Sequence, residues 1–212
     1  MAIVKDFLSD SGAWVTSFTD GGLRYNTRAY SLWLQINTRC SAPYQEKYPT
    51  YKGVTNEFKS FQSFADWCQS QTGYMNKEEN GRFWCLDKDI LSCGNKEYKE
   101  SACCFVPNEV NCLFTFKQRT KSPLPVGVHK HKNKYRATCC DGEGISRHIG
   151  LFSSPEEAHL AWCKTKSLYM HDVVERWRNR LDDRVSTAII NFANDLYKGE
   201  KSGQEISVVP KG

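Results

Sequence analysis

The stretch over residues 84–111 constrains the fold more than any other part of the chain, because strand-like runs and turn residues lead there into a helix start. Residues 83–86 and 103–106 are apolar runs of strand length, and the turn signal Gly94-Asn95 lies between them. Pro107-Asn108-Glu109 is typical of a helix N terminus, where proline fits the first turn and an acidic side chain is favoured. The order strand, turn, strand, helix is therefore predicted.

Upstream of this unit the patterns are weaker. Residues 1–26 hold three glycines and short apolar patches, which fit either a strand pair or an arm. Residues 27–39 place apolar side chains at both helical and strand spacing, so both structures stay open on pattern alone. Two prolines in residues 43–51 predict an irregular loop, and large apolar side chains spaced by three and four predict a helix over residues 58–68.

Downstream of a basic, proline-containing linker, three short runs with strand character cover residues 126–131, 135–139 and 145–152. Ser154-Pro155-Glu156-Glu157 then has the residues of a helix start, and a further helix is predicted over residues 171–197. An α+β fold follows. Its predicted parts are residues 1–118, a linker at 119–125, a sheet-plus-helix domain at 126–170, and a C-terminal helix and tail at 171–212.

Size and composition limit the classes of protein that remain. A chain of 212 residues with 40% hydrophobic residues can form one large domain or two small ones, which excludes global disorder. The net charge of +5 is a mild basic bias that permits binding to nucleic acid. No secretory signal opens the chain and no apolar run reaches the roughly 20 residues of a membrane span, so we expect a cytoplasmic protein without membrane association.

The ten cysteines are expected to be reduced thiols that pack as small apolar side chains. Zinc sites usually pair cysteines at Cys-x₂-Cys spacing, and no such pair occurs between Cys85 and Cys112. The adjacent pairs Cys103-Cys104 and Cys139-Cys140 suit alternate faces of a strand. Zinc is therefore not expected.

Two family resemblances add to this reading. The first is carried by Tyr30, Trp33, Arg39, Cys40, Tyr51-Lys52-Gly53-Val54, Phe61, Phe64, Trp67, Leu86-Asp87-Lys88-Asp89, Gly94-Asn95, Tyr98, Cys104-Phe105-Val106-Pro107 and Asn111. In this combination residues 30–116 resemble HNH-endonuclease-like proteins of phages and bacteria. The resemblance implies a ββα-metal domain with N-terminal helices, and it favours a helix over residues 27–39.

The resemblance also implies a site for metal-dependent cleavage of phosphodiesters. Asp87 and Asn111, or Asn108, stand where metal ligands are expected, and Asp89 adds an oxygen ligand suited to Mg²⁺. Lys88 stands where a histidine base is expected, and every histidine of the chain lies downstream of this unit. The catalytic candidates are Asp87, Lys88, Asn108 and Asn111, and the metal candidates are Asp87, Asp89 and Asn111.

A purely structural interpretation of these side chains stays open. Asp87 and Asp89 are residue types that cap turns, and Asn95 is a residue type that tolerates a positive φ. Asn111 can bond the backbone.

The second resemblance is carried by Gly127-Val128, Lys130, Lys134-Tyr135-Arg136-Ala137, His148-Ile149-Gly150-Leu151-Phe152 and Ser154-Pro155-Glu156-Glu157-Ala158. These residues resemble the ethylene-response-factor (APETALA-type) DNA-binding domain, which also occurs in phage homing endonucleases. The resemblance implies a three-stranded antiparallel sheet packed on one helix, with the sheet in the major groove of double-stranded DNA.

Basic side chains in and before this module are the candidate DNA contacts, because Lys and Arg neutralise phosphates and Arg reads guanine. They are Lys117, Arg119, Lys121, His129, Lys130, Lys132, Lys134, Arg136, Arg147 and His148, with His131 in support. If DNA is the target, Lys130, Arg136 and Arg147 should share one exposed face. The acidic turn at residues 141–144 should point away from phosphate.

Several functions fit these patterns. The missing histidine favours a duplex DNA-binding protein of the HNH homing-endonuclease type whose metal-dependent cleavage is weak or lost. The alternatives are an active Mg²⁺-dependent nicking endonuclease, and a phage-type protein that binds and inhibits a host DNA-acting enzyme. A third class is an interaction protein that binds a protein partner, or a second copy of itself, and no nucleic acid.

Overall fold

A computed structural model describes residues 5–114, 123–140 and 145–202, with side chains up to residue 198. The fold is α+β, as predicted. None of the helices in these three ranges is long and apolar enough to cross a membrane.

The N-terminal half combines short strands with helices. Its elements are β1 (Ser17–Asp20), β2 (Leu23–Asn26), α1 (Arg28–Cys40), α2 (Ala42–Lys47), β3 (Thr55–Asn56), α3 (Phe61–Ser70), β4 (Cys85–Asp87), β5 (Glu97–Tyr98), β6 (Cys104–Val106) and α4 (Asn108–Cys112). Strands β1 and β2 form an antiparallel pair, so the strand-pair alternative is confirmed. The helix favoured over residues 27–39 is confirmed as α1. The irregular loop predicted over residues 43–51 is wrong, because α2 and a 3₁₀ turn at Pro49–Tyr51 occupy it.

The strand–turn–strand–helix unit is confirmed. Strand β4 pairs antiparallel with β6, and α4 follows directly after Pro107. Strand β5 lies in the connection between them and pairs in parallel with β3, a contact that the sequence did not predict. This pairing ties the connection to the segment that follows α2.

Large rings form the core of the N-terminal half. Phe64 is fully buried, and its ring centroid lies 4.9 Å from that of Phe58 and 5.9 Å from that of Trp67. Trp67 continues the cluster to Phe105 of β6, with ring centroids 5.7 Å apart. Because Phe64 and Trp67 lie on one face of α3, that apolar face packs against the strand–turn–strand–helix unit, which is called the strand–helix unit below.

The C-terminal half begins with the antiparallel sheet β7 (Val128–His131), β8 (Lys134–Cys140) and β9 (Ser146–Phe152), in that spatial order. Helix α5 (Pro155–Trp177) packs on this sheet and α6 (Asp183–Ser202) packs on α5. The Ser154 hydroxyl accepts a hydrogen bond from the Glu157 N–H, and the Glu157 side chain returns to the backbone of Ser154, which completes a capping box. The predicted sheet and helix start are confirmed.

The predicted first residue of the second helix, 171, is wrong. Helix α5 continues through residue 171 to Trp177, because the buried residues Met170, Val173 and Val174 maintain its apolar face. The break follows Trp177. There the Asp182 carboxylate accepts a hydrogen bond from the Arg184 N–H at 2.8 Å and caps the start of α6.

One carboxylate joins the two halves. Glu109 of α4 accepts hydrogen bonds from the indole Nε1–H of Trp177 at 2.8 Å, from the hydroxyl of Tyr169 at 3.2 Å, and from the guanidinium of Arg176. The Trp177 ring also contacts Trp84, with centroids 5.6 Å apart. Helix α5 therefore holds the strand–helix unit in place beside the sheet.

Candidate functional site

A cavity of about 530 Å³ lies between α1 and the strand–helix unit. Helix α1 contributes Arg28, Leu32, Gln35 and Arg39, whose spacing of three and four residues places them on one helical face. The opposite wall is the segment of residues 83–89, and Tyr51, Tyr98 and Asn111 also line the cavity. The sequence-predicted residues Asp87, Lys88, Asp89 and Asn111 therefore border one cavity.

Asp87 organises the turn that follows β4. It is buried, and its Oδ1 accepts hydrogen bonds from the backbone N–H groups of Asp89 and Ile90, each at 2.8 Å. This geometry is the turn cap of the structural interpretation. One oxygen of the expected metal ligand is thus already committed to the backbone.

The ammonium of Lys88 is also held by hydrogen bonds and an ion pair. Its side chain is 3% exposed, and its ammonium donates to Asp89 Oδ1 at 2.6 Å and to the Asn95 carbonyl at 2.7 Å. Asn95 returns a hydrogen bond from its amide to the Lys88 carbonyl at 2.8 Å. The positive φ of this turn belongs to Gly94 and not to Asn95, so that part of the structural interpretation is wrong.

The two candidate asparagines, Asn108 and Asn111, lie at different sites. Asn111 borders the cavity, whereas Asn108 is exposed and borders a different groove, beside Glu109 and α5. Histidines are absent from the cavity lining, and His159, the buried one, contacts Val126 and Cys163 in the C-terminal half. The side chains that border the cavity therefore include no imidazole base.

The expected divalent ion fits this donor set poorly. Asp89 Oδ1 accepts a hydrogen bond from the Lys88 ammonium, and Asp87 Oδ1 accepts hydrogen bonds from two backbone N–H groups. A metal ion in the cavity would therefore compete with Lys88 for carboxylate oxygen. In the part of the chain that the structure describes, no three Cys, His, Asp or Glu side chains are grouped as metal ligands.

A second candidate surface is the side of the sheet that faces away from α5. Cross-strand partners share a face, and the buried pair Val128 and Ala137 defines the inner side. The alternate positions form the outer sheet face, which comprises His129, His131, Lys134, Arg136, Thr138, Cys140, Ser146, His148 and Leu151. The guanidinium of Arg136 lies 2.6 Å from His131 Nδ1, and Leu151, its cross-strand neighbour, is 44% exposed.

Positive charge dominates this sheet. Residues 123–140 and 145–152 contain five lysines and arginines and no Asp or Glu. Lys132 and Asn133 form the two-residue turn of the β7–β8 hairpin, as predicted, with Lys132 at φ 52°. Lys132 at this turn and Lys134 beside it are exposed, and residues 123–140 and 145–152 offer no carboxylate to pair with them.

The expectation that Lys130, Arg136 and Arg147 share one face is wrong. Lys130 pairs with Tyr135 on the inner side, and its ammonium lies 4.2 Å from the centroid of that ring. Arg147 pairs with Cys139, also on the inner side, and borders the groove beside Glu109 and α5.

A bulge explains the position of Arg147. The register between β8 and β9 shifts by one residue between Ala137 and Thr138, which leaves Ile149 as the extra residue of β9. Without that shift Arg147 would pair with Cys140 and face outward. With it, His148 pairs with Thr138 and takes the outward position.

Some of the other predicted DNA contacts lie on the outer sheet face, and some lie outside the described residues. His129, Lys134, Arg136 and His148 lie together on the outer sheet face. Lys117, Arg119, Lys121 and the acidic turn at residues 141–144 lie outside the described residues. Sequence reasoning missed Arg28 as a lining residue of the cavity, although its spacing from Arg39 on α1 would have revealed it once the helix was assumed.

No family model, curated protein or solved structure matches this chain. Its function must therefore be argued from the geometry of these two surfaces.

Proposed function

We propose that the protein binds duplex DNA through the outer sheet face and the β7–β8 hairpin. The observation that carries the proposal is the placement of three cations, Lys132, Lys134 and Arg136, at the hairpin turn and on the outer sheet face. The described residues 123–140 and 145–152 contain no Asp or Glu, and the predicted turn with Asp141 and Glu143 lies outside the described residues. Clustered Lys and Arg bind duplex DNA by displacing the counterions that surround the phosphates. An antiparallel sheet whose second face is free can be placed against a groove of the duplex.

Arg136 is the side chain best placed to contact bases. It lies near the middle of β8 and borders an outward groove of about 470 Å³ together with Thr138, Ser146, His148 and Leu151. Arginine forms two parallel hydrogen bonds to guanine O6 and N7, and an apolar side chain can contact the thymine methyl group. Lys132 and Lys134, nearer the hairpin turn, are placed for phosphates.

We infer binding without efficient cleavage. The acidic side chains of the cavity are bonded to the backbone and to Lys88, and the cavity lining supplies no histidine base. Magnesium binding stays a prediction. Incubation of supercoiled plasmid with Mg²⁺ or Mn²⁺ tests whether the protein cleaves DNA, and we expect the plasmid to remain supercoiled. Nicking that disappears in an Asp87→Ala variant would support the nuclease alternative.

Loss of Arg136 should weaken duplex binding. Arg136→Ala is expected to lower the affinity about 5- to 100-fold, because it removes a guanidinium that can pair with a base edge. Fluorescence anisotropy with a labelled duplex library at several salt concentrations measures the affinity and its salt dependence. Lys134→Ala should lower the affinity less and reduce the salt slope by about one.

Arg178→Ala is the matched control, because Arg178 is exposed, is paired with Glu175 on α5, and belongs to neither surface. Its affinity should equal that of the unsubstituted protein. If the unsubstituted protein binds no duplex at low salt, the proposal is wrong.

A further inference from the structure

The cavity beside α1 is lined by three cationic side chains and two carboxylate side chains. Its lining holds the cations Arg28, Arg39 and Lys88, and the carboxylates of Asp87 and Asp89. Lys88 is paired with Asp89. Neither arginine forms an ion pair with a carboxylate within the described parts of the chain.

Arg28 is a fixed charge at one end of the cavity. Its Nε donates to the Tyr74 carbonyl at 2.9 Å and its Nη2 to the Trp84 carbonyl at 3.0 Å, while the guanidinium lies 4.0 Å from the Phe83 ring centroid. Burial lowers the pKa of Arg28, but a guanidinium remains charged at neutral pH. The nearby carboxylate of Asp6 accepts a hydrogen bond from the Tyr74 hydroxyl.

Arg39 is the more available group. Its Nη1 donates to the Tyr98 hydroxyl at 3.0 Å, and no other hydrogen bond joins its guanidinium to a described residue. Burial raises the pKa of Tyr98, so this hydroxyl is neutral and supplies no counter-charge. A half-buried guanidinium with most of its N–H groups unused favours an anion with several oxygen acceptors.

The shape of the cavity indicates the size of that anion. A volume of about 530 Å³ lies within the range of small-molecule sites. Tyr51 and Tyr98 supply aromatic wall beside Arg39, whereas the Phe83 ring is covered by Arg28. Arg28 and Arg39 are eleven residues apart on α1, which separates their Cα atoms by about 16 Å. Because Arg28 Nε and Nη2 already donate to the Tyr74 and Trp84 carbonyls, Arg39 is the arginine available to a phosphate.

We propose that this cavity binds a small phosphate-bearing ligand of mononucleotide size, with Arg39 anchoring the phosphate and the aromatic wall beside the planar base. Arg28 adds a fixed positive potential without contacting the phosphate. The proposal is independent of DNA binding by the outer sheet face, since the two surfaces share no residue.

Isothermal titration calorimetry with dAMP and with inorganic phosphate, in the absence of divalent ions, tests the proposal. We expect both probes to bind, and Arg39→Leu to weaken dAMP binding about ten-fold or more, because it removes charge-assisted hydrogen bonds. Arg39→Lys should bind with intermediate affinity, since it keeps the charge and loses the planar fork. Arg178→Leu is the matched control and should bind normally.

Thermal unfolding without ligand establishes that each variant is folded. Failure of folded, unsubstituted protein to bind dAMP or phosphate overturns the proposal, as does equal dAMP affinity in Arg39→Leu. A strict requirement for Mg²⁺ also overturns it, because the carboxylates would then be the anchor. Binding of a short duplex that depends on Arg39, without binding of dAMP, assigns the cavity to DNA instead. Loss of duplex binding in Arg136→Ala alone leaves the cavity proposal intact.

Discussion

Replacing Gly127 with alanine is expected to lower the free energy of unfolding by about 2 to 5 kcal/mol, because a strained backbone and an overpacked contact act together. Gly127 has φ +80°, and a Cβ there would lie 2.1 Å from Trp162 Cδ1 and 2.4 Å from its Cγ. The indole cannot withdraw easily, since Trp162 is buried and stacked on His159 with ring centroids 5.6 Å apart. Chemical denaturation followed by tryptophan fluorescence measures the change.

Gly81 provides the matched control. It has the same φ of +80°, but a Cβ at Gly81 would meet nothing within 4 Å. Gly81→Ala therefore isolates the backbone cost, about 1 to 2 kcal/mol. Equal destabilisation by the two alanines would show that the contact between Gly127 and Trp162 is not tight in solution.

The second large effect is expected at the buried ion pair. Asp89→Ala should destabilise the protein by about 3 to 5 kcal/mol, because it leaves the Lys88 ammonium buried without its carboxylate. Both side chains are at most 8% exposed, and their charged atoms lie 2.6 Å apart. The same unfolding measurement applies, and the duplex affinity of the folded fraction should not change, because the pair lies away from the outer sheet face.

Two controls make the comparison specific. The double variant Lys88→Met, Asp89→Leu removes both charges and should recover most of the loss, since apolar replacements of a buried ion pair are often neutral. Asp195→Ala breaks the exposed pair with Lys198 and should cost about 0 to 1 kcal/mol. A cost for Asp89→Ala no larger than for Asp195→Ala would mean that water reaches Lys88.

The C-terminal sheet was predictable because its signals are local. Residue alternation, the Lys132-Asn133 turn and the Ser154 cap each act within a few residues, and the strands and the helix start occur where they indicate. Helix α1 was not predictable in this way, since the apolar residues of 27–39 satisfy both periods. Its packing against α3 selects the helix, and that contact is tertiary.

The same distinction between local signals and tertiary contacts applies to the candidate sites. Asp87, Lys88, Asp89, Asn108 and Asn111 were predicted to lie together, and all but Asn108 line one cavity. Their chemistry could not be predicted, because the residue types are the same whether Asp87 binds a metal or caps a turn. The hydrogen bonds from Asp89 and Ile90 to Asp87 show that Asp87 caps the turn, and Lys88 pairs with Asp89, whereas metal binding stays a prediction.

The amino-acid sequence alone determined the α+β class, the strand–turn–strand–helix unit and the concentration of positive charge between residues 123 and 152, because each depends on residues close together in the chain. The tertiary structure alone decided which charges act together. A one-residue bulge turns Arg147 toward α5 and brings His148 outward beside Arg136. Side-chain direction in a sheet changes with every residue of register, and register is set by pairing between strands.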